Sequence, residues 1–170
     1  QLQGLVSSET VYHHGESSMN ETIISLAQKF VGKNNINLLY PNGIFGTRYK
    51  GGEDNASPRY IKTYLNDITR FIFRKEDDKL LEHLEDEGQK IEPEYFIPII
   101  PMVLVNGTKG IGTGWSTTIP SYNPIQIIDS LINYIDKDKF NFNQLKPYYS
   151  GFKGVIKQLN DDMWSSQGIW

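Results

Sequence analysis

Asn55-Ala56-Ser57-Pro58-Arg59-Tyr60 sets an arginine beside a tyrosine immediately after a turn. Proline fixes its φ near −65° and suits the second position of a turn, so the pair leaves it in a defined direction. With an ordinary pKa near 10, a tyrosine hydroxyl is ionised to only about 0.1% at neutral pH. It becomes a nucleophile where charge or a base is brought to it. The neighbouring arginine offers both a positive charge and a two-pronged fork for phosphate oxygens. Arg-Tyr alone is a common surface dipeptide, so its surroundings decide how it is read.

Downstream, Ile61, Leu65, Ile68 and Ile72, with Tyr64 and Phe71 at the stripe's edges, recur at helical spacing and predict a helix over about 62–73. Upstream, Lys33 to Ser57 is rich in Asn and Gly, broken by Pro41-Asn42-Gly43 and Gly51-Gly52, and reads as loops and short strands. Leu38-Leu39-Tyr40 and Ile44-Phe45 are its candidates for burial. Arg48 and Lys50 lie between Gly46 and Gly51-Gly52. Such glycines let backbone approach a bulky anion while cations close on it. A plain polar surface loop has the same composition.

Further upstream, Ser18-x-x-Glu21 has the form of a capping box, and Ile23, Ile24, Ala27, Phe30 and Val31 follow until Gly32, predicting a helix over about 18–31. Tyr12-His13-His14-Gly15-Glu16 precedes it, leaving two histidines on its approach; the sequence is not H-E-x-x-H and reads as no metal site. Beyond the centre, Leu80 to Ile91 predicts a hairpin turning near Asp86-Glu87-Gly88. Tyr95 to Val105 predicts an apolar, proline-broken strand. Gly110-Ile111-Gly112-Thr113-Gly114 frames an isoleucine with glycines, as either a local plug or an exposed wedge. Asn123-Pro124 then caps a helix over about 124–135 bearing Ile127, Ile128, Leu131 and Ile135 on one face. Asp136-Lys137-Asp138 has two acids at D-x-D spacing but reads as solvated charge. Phe140 to Trp170 reads as short strands and loops.

With 170 residues, 38% apolar and 12% aromatic, the chain can bury a core and reads as a globular domain or a domain and part of another. Its longest nearly uncharged apolar run, 95–105, is too short to span a membrane. Without cysteine there is no disulfide and no thiolate metal site. The N-x-[ST] sequons at Asn20, Asn55 and Asn106 read as chance in the absence of a secretory signal. No initiator methionine or signal sequence is present, so the chain reads as an internal piece of a longer one. The net charge of −3 conceals an asymmetry: residues 1–75 carry nine Lys/Arg against six Asp/Glu, and 76–170 eight against fourteen. Any nucleic-acid contact therefore falls to the first half. There is no G-x-x-x-x-G-K-[ST] and no acidic cluster suited to magnesium, so a nucleotide or metal would be held elsewhere.

Seven stretches, in order, resemble eukaryotic-type DNA topoisomerase II: Tyr12-His13-His14-Gly15-Glu16, Ile44-Phe45-Gly46-Thr47-Arg48, Gly51-Gly52, Ala56-Ser57-Pro58-Arg59-Tyr60, Glu92-Pro93-Glu94, Ile99-Ile100-Pro101-Met102 and Gly110-Ile111-Gly112-Thr113-Gly114-Trp115. They cover about residues 1–135; the tail from Tyr134 matches loosely. Bacterial gyrase has Y-H-P-H-G in place of the first. The resemblance implies an α+β fold: a winged-helix (CAP-like) domain over 1–105 carrying the nucleophile, then the beginning of an α/β tower domain over 106–170. Leu2-Gln3-Gly4 would end the preceding helix-turn-helix.

By the same resemblance, Tyr60 attacks a phosphodiester to form a 5′-phosphotyrosine link, Arg59 binds the scissile phosphate and His14 hydrogen-bonds to it or its neighbour. His13, Arg48 and Lys50 would lie near the DNA, and Ile111 would insert between base pairs. Further implications are Mg2+ held by the partner's Toprim domain, ATP held by a separate ATPase domain, double-stranded DNA as substrate, a homodimer, no membrane and a nuclear location. This piece alone would be inactive. A non-enzymatic winged-helix DNA-binding module is the alternative, and a purely structural α+β domain a third.

Overall fold

Leu39–Asn42 (β1) and Lys62–Leu65 (β2) pair antiparallel, with Tyr40 opposite Tyr64 and Pro41 opposite Thr63. The computed structural model describes residues 1–137, 145–161 and 163–169. Its contacts divide the chain into two compact units, Gln1–Gln28 with Asn37–Ile99, and Lys29–Ile36 with Ile100–Trp170. Both contain short helices and two-stranded antiparallel sheets, an α+β composition.

The first unit opens with α1 (Leu2–Glu9) and α2 (Glu16–Ala27). The second helix starts before the expected Ser18, with Gly15 at its N-cap and no side-chain cap bond. Ser18 lies inside it, its carbonyl accepting from Thr22 Oγ1 at 2.9 Å, so the capping box does not form. Nor does the helix reach Gly32. At Gln28 the backbone turns extended and the buried side chain donates to the carbonyls of Phe45 (2.8 Å) and Gly52 (3.2 Å). Ile24, Ala27, Leu39 and Phe45 form the core, with Ile23 and Ile61 packed against it. Ile44 and Tyr40, by contrast, are exposed.

The helix expected over 62–73 is replaced by β2 and a single helical turn, α3 (Thr69–Ile72). Tertiary pairing overrides the period: Thr63 and Tyr64 suit a strand, Thr63 Oγ1 donates to Tyr40's carbonyl, and the Tyr40 and Tyr64 rings stack at 4.9 Å. Asn66 N–H donates to Leu38's carbonyl, carrying the β1–β2 register one residue past Leu65 before the chain enters α3. Ile72 is buried while Leu65 and Ile68 are exposed, so the four apolar residues do not form one face. The predicted hairpin is present as β3 (His83–Asp86) and β4 (Gln89–Pro93). Glu87 and Gly88 both have positive φ, as a two-residue turn matching strand twist requires.

Residues 95–101 form no strand, contrary to expectation. Pro98 and Pro101 lack the N–H donors a ladder needs, and Pro101 instead starts the short helix α4 (Met102–Val105). In the second unit, β5 (Thr108–Gly112) and β6 (Trp115–Ile119) form a hairpin, followed by α5 (Pro124–Lys137). The expected cap at Asn123 forms, its Oδ1 accepting from Ile125 N–H at 2.9 Å. β7 (Val155–Asn160) and β8 (Met163–Gln167) pair in the tail, among loops as expected. Residues 29–36 join this unit through Asn35, whose amide donates to the carbonyls of Val105, Tyr122 and Tyr148 and whose Oδ1 accepts from Ser150 N–H. Asn106 and Ile36 exchange a reciprocal pair of hydrogen bonds. Among the described residues, no buried side-chain polar atom lacks a partner.

Candidate nucleic-acid interface

Pro58–Tyr60 forms one 3-10 turn, closed by Tyr60 N–H donating to Ser57's carbonyl at 2.9 Å. Arg59 and Tyr60 thus project from a single turn; the tyrosine is 76% exposed. The next residue, Ile61, is extended and packs on the core. Ile61 thus anchors the end of the turn on the core while Tyr60, within the turn, stays exposed. Ala56 N–H donates to Ile44's carbonyl at 2.9 Å, binding the turn to the loop segment that contains buried Phe45.

That loop continues into a 3-10 turn, Arg48–Lys50, stopped by Gly51 in the left-handed conformation. Thr47 clamps its base: its N–H donates to Asp54 Oδ1 at 2.7 Å and its hydroxyl to Oδ2 at 2.8 Å. These bonds, the backbone one foremost, hold the Asp54 carboxyl below the usual range, with Lys50 adding its charge. Gly46, at φ 92°, lies so close to Gly52 that a Cβ there would come within 2.5 Å of the Gly52 carbonyl oxygen. Arg48 and Lys50 are exposed, and Lys50 Nζ lies 5.4 Å from the Tyr49 ring centroid. Tyr49 itself is exposed, an aromatic between two cations.

His13 Nε2 lies 2.8 Å from Asp86 Oδ2, on the β3–β4 hairpin. Nothing in the sequence joins residues 73 positions apart, so no local pattern marks Asp86 as its partner. His14 is exposed and meets Tyr12 edge-on, with centroids 5.4 Å apart. Ile111, in the second unit, is 84% exposed on the β5–β6 hairpin, so it is no local plug. Among the described residues no group of three or more His, Cys, Asp or Glu is placed to hold a metal ion; Asp138 lies outside them. No helix there is long and apolar enough to cross a membrane.

The family of the A subunits of DNA gyrase/topoisomerase IV matches residues 1–170, continuing through the tail beyond the seven motifs. DNA topoisomerase 2 of Bombyx mori is 54% identical over 161 residues, covering 95% of this chain and 10% of the relative. That of Saccharomyces cerevisiae is 50% identical over 159 residues, covering 94% and 11%. The solved DNA-binding, cleavage and re-ligation domain of Plasmodium falciparum topoisomerase II superposes with a TM-score of 0.95 at 50% identity, covering 99% of this chain and 23% of that one. The chain thus spans about a tenth of the length of these curated relatives. Its residues, end to end, belong to the type II DNA topoisomerase family.

Proposed function

We propose that this chain is part of the breakage–reunion core of an ATP-dependent type II DNA topoisomerase, with Tyr60 as nucleophile. The observation that carries the reading is the single 3-10 turn presenting Arg59 and Tyr60 together to solvent beside Ile61, which packs on the core. In this reading the Tyr60 hydroxyl oxygen attacks the scissile phosphorus. A 5′-phosphotyrosyl bond forms, the bond to the 3′ oxygen breaks, and that oxygen leaves with a proton. Attack by the same 3′ hydroxyl reverses the step and reseals the strand, because the ester conserves the bond's energy. Arg59 holds the phosphate and offsets charge developing on its oxygens, and His14 donates a hydrogen bond to it. Arg48, Lys50 and His13 lie along the backbone, and Ile111 wedges between base pairs, offsetting a few kcal/mol of unstacking with contacts to a bent duplex.

The domains would be a winged-helix domain over 1–105 and the start of a tower over 106–170. Two such chains in a homodimer would cut opposite strands, passing a second duplex through the gap and so changing supercoiling and separating linked chromosomes. No acidic cluster among the described residues fits magnesium. Mg2+ would come from the partner's Toprim domain, with ATP held by a separate ATPase domain, so the piece alone would be inactive. A nuclear location follows the resemblance to the eukaryotic enzymes, while one relative, from Dictyostelium discoideum, is named mitochondrial. A fluorescent fusion would separate the two locations.

The test is direct. Full-length protein, labelled duplex and magnesium are mixed and quenched with detergent. The wild type leaves a covalent protein–DNA adduct; Tyr60→Phe leaves none while keeping non-covalent affinity. Adduct formation by the variant would overturn the assignment, and its absence from both proteins would favour a non-enzymatic DNA-binding module.

A further inference from the structure

Between Tyr95 and Ile128 the sequence has no acidic residue and one charged residue of any kind, Lys109. It lies on β5, whose register with β6 pairs Lys109 with Thr118 and Ile111 with Ser116. Successive residues of a strand point to opposite faces. Lys109, Ile111, Ser116 and Thr118 therefore share one face, while Trp115, opposite Gly112, is on the other. All four are exposed, and Lys109 has no ion-pair partner among the described residues. An unpaired cation, two hydroxyls and an unburied isoleucine on one face suit a duplex better than a protein core. Two residues along a strand separate their Cα atoms by about 6.6 Å, so a lysine reaches the backbone beside a step that Ile111 opens.

We infer that Lys109 is a DNA-backbone contact, its ammonium bound to a phosphate flanking the step entered by Ile111. The inference rests on the DNA-cleavage reading above. Neutralising a phosphate there releases a counterion and gives the hairpin a second hold on the bent duplex.

The test uses the full-length protein carrying Tyr60→Phe, so that binding stays non-covalent, with affinity measured across a salt series. Lys109→Ala should flatten the slope of log K against log salt by about 0.9 for each Lys109 engaged. Lys109→Arg should restore the slope, and Lys109→Glu should weaken binding further. A slope unchanged by Lys109→Ala would overturn the inference. If the parent with Lys109 still forms covalent adducts once Tyr60 is restored, the cleavage reading survives that failure. A parent with no salt-dependent binding and no adducts would sink both.

Discussion

Glycine does two different jobs within seven residues of the Arg48–Lys50 loop. At Gly51, φ is 64° and nothing lies within 4 Å of where a Cβ would stand, so only backbone strain opposes a side chain. At Gly46 the strain is joined by a collision with the Gly52 backbone. Gly46→Ala is expected to destabilise the first unit by about 1–3 kcal/mol, and Gly51→Ala by less, as measured by urea unfolding of the two variants. Equal losses would show that the close approach carries no cost. The glycines themselves are readable as loop signals, but their division of labour is not, because sequence carries no distance between positions 46 and 52. Tyr60 shows the same split: its turn follows from Ser57-Pro58, whereas the anchoring of the next residue, Ile61, on a core built from α2, β1 and Phe45 does not.

At the scale of elements, the 47–54 loop behaves as a small clasp whose strength depends on one carboxylate. Since the Asp54 pKa is lowered in the folded protein, its contribution is present above the unfolded carboxyl value and lost as pH falls through the folded one. NMR shifts of the Thr47 amide should therefore stay constant at neutral pH and move only once the pH falls below the ordinary aspartate range. In Asp54→Ala the amide should be displaced at every pH, with no acid transition; a wild-type-like titration in that variant would remove Asp54 as the cause. Elements with strong local signals are the readable ones: the Glu87-Gly88 turn and the Asn123-Pro124 start of α5. The segment 62–73 misleads because Ile61, Leu65, Ile68 and Ile72 keep a helical period by coincidence, while partners on β1 claim Lys62–Leu65.

For the molecule as a whole, neither composition nor periodicity shows that residues 29–36 leave the first unit to join the second. One side chain accounts for much of that attachment. Asn35→Ala removes bonds to three carbonyls and one N–H, and is expected to cost about 1–3 kcal/mol. Thermal unfolding should show the loss, and exchange protection at the Ser150 amide should fall with it; unchanged protection there would mean another group holds Ser150.

This attachment also has a cost in time. Asn35 and Ser150 are 115 positions apart in the chain. At ribosomal rates of about 5–20 residues per second, roughly 6–23 s pass between the synthesis of the first and the last. Throughout that interval the nascent second unit lacks part of the acceptor-and-donor set that Asn35 needs, while the first unit gains the last residue of its Ile24, Ala27, Leu39 and Phe45 core only ten positions after Asn35. The emerging polypeptide is thus built to mature in sequence, with the tyrosine-bearing unit able to close before the unit that holds Asn35 and Ser150 is complete.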